Sequence, residues 1–145
     1  MEQKPFPTYS GNQYAKYKTN SVETASPLML VLMLYDEAIK MCKTAVNDFG
    51  KNKETVHNKL IKAQKVLTEL TVALNPDVGG ELVENLKALY IYMHMRLVEA
   101  NVENDKKKIE EVLNLLVELR EAWQHVSTEQ RKNIVRQAGH ISTES

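Results

Sequence analysis

Apolar residues step by threes and fours through four long stretches of the chain, the spacing of one face of an α-helix. In the first, Leu28, Val31, Leu32, Tyr35, Ile39, Cys42, Val46 and Phe49 form a stripe. Ser26 is placed to cap it, Pro27 fits the first helical position, and Gly50 stops it. The second stripe is Val56, Leu60, Ala63, Leu67, Leu70 and Leu74, and predicts a helix from about Lys53 to Leu74. Pro76 ends it, because the residue before a proline is pushed out of the α region. The third runs from about Glu81 to Asn101, with Leu82, Leu86, Leu89, Tyr90, Met93, Leu97 and Ala100 inward. The fourth runs from about Lys106 to Val126 on Ile109, Val112, Leu113, Leu116, Leu119 and Trp123. Ser127-Thr-Glu-Gln130 reads as a capping box opening a short last helix to about Ala138.

Four helices with short connections must lie as antiparallel neighbours. The expected fold is all-α, an antiparallel up-down four-helix bundle with an N-terminal arm and a short fifth helix. Residues 1–25 carry Pro5, Pro7 and Gly11 and no sustained repeat, so they are read as a flexible arm. Residues 26–138 form the bundle domain, and 139–145 a frayed tail.

More apolar side chains are present than one stripe per helix needs. The first two turns of the first helix add Met29, Leu30, Met33 and Leu34. The third helix adds Ile91, Tyr92 and Met95. A lone bundle needs one apolar stripe per helix, so the surplus asks for a second chain to cover it. Methionine, which adapts its shape, suits such a surface, and five of the six methionines lie on these two helices.

Composition narrows the chemistry. The 145 residues hold 19 Lys plus Arg against 19 Asp plus Glu, and that balance argues against a nucleic-acid binder. The longest apolar run, Leu28 to Tyr35, is far short of the roughly 20 residues of a membrane span. No glycine-rich phosphate loop is present, and the single cysteine, Cys42, cannot form an internal disulfide. Cys42 sits on an apolar stripe and is expected as a small buried hydrophobe. A di-metal bundle site needs two Glu-x-x-His motifs, and Glu54-Thr-Val-His57 is the sole match. No metal, cofactor or catalytic residue is expected. A cytosolic location follows from the polar N-terminus and lone cysteine. Lys51, Lys53, Lys59, Lys62 and Lys65 make the second helix basic, which leaves open a structural adaptor that docks a folded acidic partner there.

Seven segments then carry a resemblance. Tyr14-Ala-Lys-Tyr17, Val22-Glu-Thr-Ala-Ser-Pro27 and Met33-Leu-Tyr-Asp36 resemble the N-terminal signature of flagellar secretion chaperones of the FliS type. Gly79-Gly-Glu-Leu-Val-Glu-Asn-Leu-Lys-Ala-Leu-Tyr90, Arg96-Leu97 and Asn104-Asp105 resemble its second signature, and Ala122-Trp123 its end. Leu28-Met29, Glu37, Ile91 and Met95 depart from the family pattern, and most of the changes make the surface more apolar. The resemblance implies a non-enzymatic cytosolic export chaperone. Its client would be the C-terminal segment of flagellin, kept from premature polymerisation and delivered to a component of the flagellar type III export gate. Tyr17, Val22, Leu28, Met33, Leu34, Tyr90, Met93 and Leu97 are the client-binding candidates. Tyr14, Tyr17 and Val22 would cover the groove until the client displaces them. Monomer and homodimer both stay open for the client-free chain.

Overall fold

Capping chemistry sets where each helix begins. The computed structural model describes residues 26–77 and 80–136. Helix α1 spans Pro27–Asp48, and the Ser26 hydroxyl accepts from the Met29 amide at 3.2 Å. Gly50, with φ of 82°, turns the chain in the left-handed region that glycine adopts without strain. Helix α2 spans Lys53–Val72, with Asn52 Oδ1 accepting from the Thr55 amide at 3.1 Å. Helix α3 spans Gly80–Glu103 and ends at Asn104, a left-handed residue with φ of 55°. Asp105 caps α4, Lys106–Trp123, through the Lys107 amide at 3.0 Å. Ser127 caps α5, Thr128–Ile134, through the Gln130 amide.

α1 packs on α2 and α4, and α3 packs on the same two, so the four long helices form the expected antiparallel up-down bundle. The described residues contain no strand beyond one isolated bridge. The α2 stripe is buried as expected from Val56 to Leu74. The α1 stripe is rotated: Val31, Leu34, Tyr35, Ala38, Met41, Cys42 and Ala45 are buried, whereas Leu28, Leu32, Ile39, Val46 and Phe49 are only part-buried. Small side chains at 38, 42 and 45 let the neighbouring backbones come close, and this turns the larger residues to the flank. On α3 the inward position is Val83, and Leu82 stands 41% exposed.

α5 ends before Ala138. Val135 goes extended and pairs antiparallel with Leu74. The Asn75 amide donates to the Ile134 carbonyl, and the Arg136 amide to the Ala73 carbonyl, both at 2.8 Å. Arg136 Nε donates to the Val72 carbonyl at 2.8 Å, so the clasp meets a carbonyl of the last α2 turn that has no partner within its own helix. The same pairing explains why α2 stops at Val72 and not at Leu74. Ile134 and Val135 are buried beneath it.

Candidate functional site

Three aromatic residues key the bundle together. Tyr35 of α1 and Tyr90 of α3 share a hydroxyl–hydroxyl hydrogen bond of 2.6 Å, and their rings meet edge-on at 6.2 Å. Trp123, at the end of α4, meets Tyr35 edge-on at 6.5 Å. Each comes from a segment that carries the family resemblance, and all three are buried. Burial holds the Tyr35 hydroxyl above its ordinary pKa, partly offset by hydrogen bonds to Tyr90 and Trp123. Burial also pushes Tyr90 well above its ordinary value. Beside this hub, Arg120 Nε and Nη2 donate to Asp36 at 2.5 and 3.2 Å, a forked tie from α4 to α1.

Alongside Tyr90 an apolar groove of about 260 Å³ runs between the C-terminal half of α2 and the middle of α3. Leu67, Thr71 and Val72 form one wall, and Tyr90, Ile91 and Met95 the other. Tyr90 and Leu67 are its buried floor, while Val72, Ile91 and Met95 are each about half exposed. The groove opens onto a second apolar stripe of α3, formed by Ala88, Ile91, Met95, Val98 and Val102 at three- and four-residue spacing. Val102 is 76% exposed, Ala88, Ile91 and Met95 are exposed and Val98 is half-buried, so most of this stripe meets solvent. At 100° per residue it lies on the face of α3 turned away from the core. The surplus read from the sequence is therefore present as surface.

The eight candidate residues fall in different places. Leu34, Met93 and Leu97 point into the core at 2% exposure or less, and they hold helices together. Tyr90 is equally enclosed but reaches the groove as its floor. Leu28 and Met33 are part-buried on α1, which does not line the α2–α3 groove. Tyr14, Tyr17 and Val22 lie outside the described residues. Val72 and Thr71 escape the sequence reading. The available signal is an apolar Val72 lying off the α2 stripe near the helix end.

The remaining candidates resolve simply. Cys42 is fully buried, and burial pushes its thiol up to about 12, which removes thiolate chemistry near neutral pH. Because the folded value lies above the ordinary 9.0, the unfolded chain ionises first. Stability from this group is thus complete below pH 9.0 and lost as pH rises towards about 12. We expect urea stability to fall by about 1 kcal/mol per pH unit just above that onset. Cys42→Ala should flatten the slope between about pH 9 and 10, before tyrosine ionisation in the unfolded chain takes over. An unchanged slope would refute the assignment.

His57 Nδ1 lies 3.1 Å from Asn101 Oδ1, and no group of three metal-ligating side chains occurs among the described residues. The basic face of α2 is broken: Lys62 is buried, with its ammonium pKa lowered mainly by desolvation, and Lys59 is half-buried. On the other flank of α3, Tyr92 and Arg96 both donate to Glu111, and Lys108 joins Glu99 to Glu103. No described helix is long and apolar enough to cross a membrane.

The molecule is thus of the class of all-helical bundles that keep an apolar groove and helix face open to solvent. The family model "Flagellar protein FliS" matches residues 10–130. The flagellar secretion chaperone FliS of Bacillus subtilis is 37% identical over 123 residues, covering 84% of this chain and 91% of that protein. The Salmonella typhimurium chaperone of the same name is 37% identical over 117 residues, covering 79% and 87%. Flagellar secretion chaperone FliSB of Pseudomonas aeruginosa is 33% identical over 124 residues, covering 82% and 98%. The chain belongs to the FliS family of flagellar secretion chaperones; it is an export chaperone and not an enzyme.

Proposed function

We propose that the chain binds the disordered C-terminal segment of flagellin in the cytosol, keeps it from polymerising, and hands it to the flagellar type III export apparatus. The observation that carries this reading is the α2–α3 groove continuing into the uncovered α3 stripe. An amphipathic client helix laid there would bury its apolar face against Val72, Ile91 and Met95, over the floor of Tyr90. Leu28 and Met33 of α1 offer a second contact for a client long enough to wrap the bundle. Folding on binding buries about 1,000–3,000 Å² and costs roughly 2–5 kcal/mol in ordering. At about 25 cal/mol per Å² of apolar area, half that surface outweighs the cost.

In this reading Tyr14, Tyr17 and Val22 shield the groove until the client arrives. A second copy seated on the same stripe would give a client-free homodimer that the client dissociates. Calorimetry and circular dichroism with a synthetic flagellin C-terminal peptide test the proposal. Micromolar or tighter affinity with a gain of helicity is expected, and removing residues 1–20 should change that affinity and raise hydrophobic-dye binding. Absence of both heat and helicity gain would overturn it.

A further inference from the structure

The end of the bundle opposite the C-terminal clasp brings together the C-termini of α1 and α3 and the N-termini of α2 and α4. Two adjoining hollows of about 360 Å³ each open there, and both are lined by Phe49, Lys53, Val56 and Asn104. Phe49 is part-buried and Val56 buried, which gives the hollows an apolar floor. Lys51 and Lys53 stand exposed at the rim and have no ion-pair partner among the described residues. Glu54 is the one carboxylate in the lining, so two ammonium groups face one carboxylate. On the far wall Asn101 is held by His57 at 3.1 Å, leaving the Asn104 side chain at the mouth.

An apolar floor under a cationic rim selects its occupant. A basic segment would be repelled by Lys51 and Lys53. A purely apolar one would leave the rim unmatched, and a purely acidic one would leave Phe49 uncovered. We propose that these hollows seat an acidic peptide segment of a protein partner, with one bulky apolar side chain on Phe49 and Val56 and carboxylates against Lys51 and Lys53. The hollows share no lining residue with the α2–α3 groove, and only the far end of the α3 stripe, at Val102, comes near them. His57 at the hollow and Leu67 in the groove lie ten residues apart on α2, about 15 Å along the helix. A client seated over Val72, Ile91 and Met95 leaves the hollows free for the partner, the arrangement a carrier needs if it is to be recognised while loaded.

The test uses the full chain, ¹⁵N-labelled, titrated with the acetylated peptide Asp-Leu-Glu-Phe-Asp-Glu and with its amide counterpart Asn-Leu-Gln-Phe-Asn-Gln. The acidic peptide should shift the amides of Gly50, Lys51, Asn101 and Asn104 and should weaken with added salt. The K51E/K53E double variant should lose at least tenfold in affinity, E54K should gain at least threefold, and the amide peptide should bind at least tenfold more weakly. Shifts confined to other faces, equal binding of the two peptides, or indifference to K51E/K53E would overturn the proposal. Binding of the flagellin peptide by K51E/K53E should be unchanged, so failure here is distinguishable from failure of the client reading.

Discussion

Trp123→Ala should lower the stability of the bundle by about 3–5 kcal/mol, the usual cost of truncating a buried aromatic residue to alanine. Trp123 is only 5% exposed although it is the last residue of its helix. Its ring meets Tyr35, and Tyr35 in turn is bonded to Tyr90, so one deletion loosens α1, α3 and α4 together. Against a total stability of roughly 5–15 kcal/mol for a domain, that loss brings the variant close to unfolding. Tyr35→Phe should cost less, about 1–3 kcal/mol, because it keeps the ring and removes one partner of the buried Tyr90 hydroxyl. Urea denaturation followed by circular dichroism reads both. A Trp123→Ala loss under about 1 kcal/mol would show that the α4 end is not keyed to the other helices.

The second large effect falls on binding and spares the fold. Ile91→Glu combined with Met95→Glu should weaken flagellin-peptide binding by about a hundredfold or more. Each side chain is half exposed in the free protein, so the substitutions place carboxylates in water and leave the thermal midpoint within a few degrees. In the complex the same carboxylates would lie under the client helix, and two apolar anchors worth roughly 1.5–3 kcal/mol each when fully buried would be gone. A loss of about 2.7 kcal/mol is a hundredfold in affinity. Retained affinity would move the client to another face, and Met33→Asp on α1 is the comparison that locates it. Tyr90→Ala is unsuited to this purpose, since it would damage the aromatic hub and the groove at once.

The caps make the helix boundaries readable: Ser26, Asn52, Asp105 and Ser127 each accept the backbone bond that starts a helix. Periodicity places the buried face of α2 correctly because all of its large apolar residues except Ile61 and Val72 lie on one side. On α1 it favoured large residues, whereas the close approach of helices is set by Ala38, Cys42 and Ala45. The surplus of apolar positions on α3 is visible as two interleaved stripes, yet spacing alone does not say which one faces inward. Tyr90 and Met93 belong to the enclosed stripe, Ile91 and Met95 to the open one. The pairing of Val135 with Leu74 joins positions 61 residues apart, and no local pattern announces it.

That pairing carries the folding unit past the family boundary. The family match ends at residue 130, but Ile134 and Val135 close the tip of the bundle by burying themselves, and Arg136 bonds the end of α2. Val72, whose carbonyl Arg136 holds, is also a wall of the groove. A shortened protein cut at the family boundary would therefore be frayed where it most needs a firm edge, and its cargo would meet a softened seat.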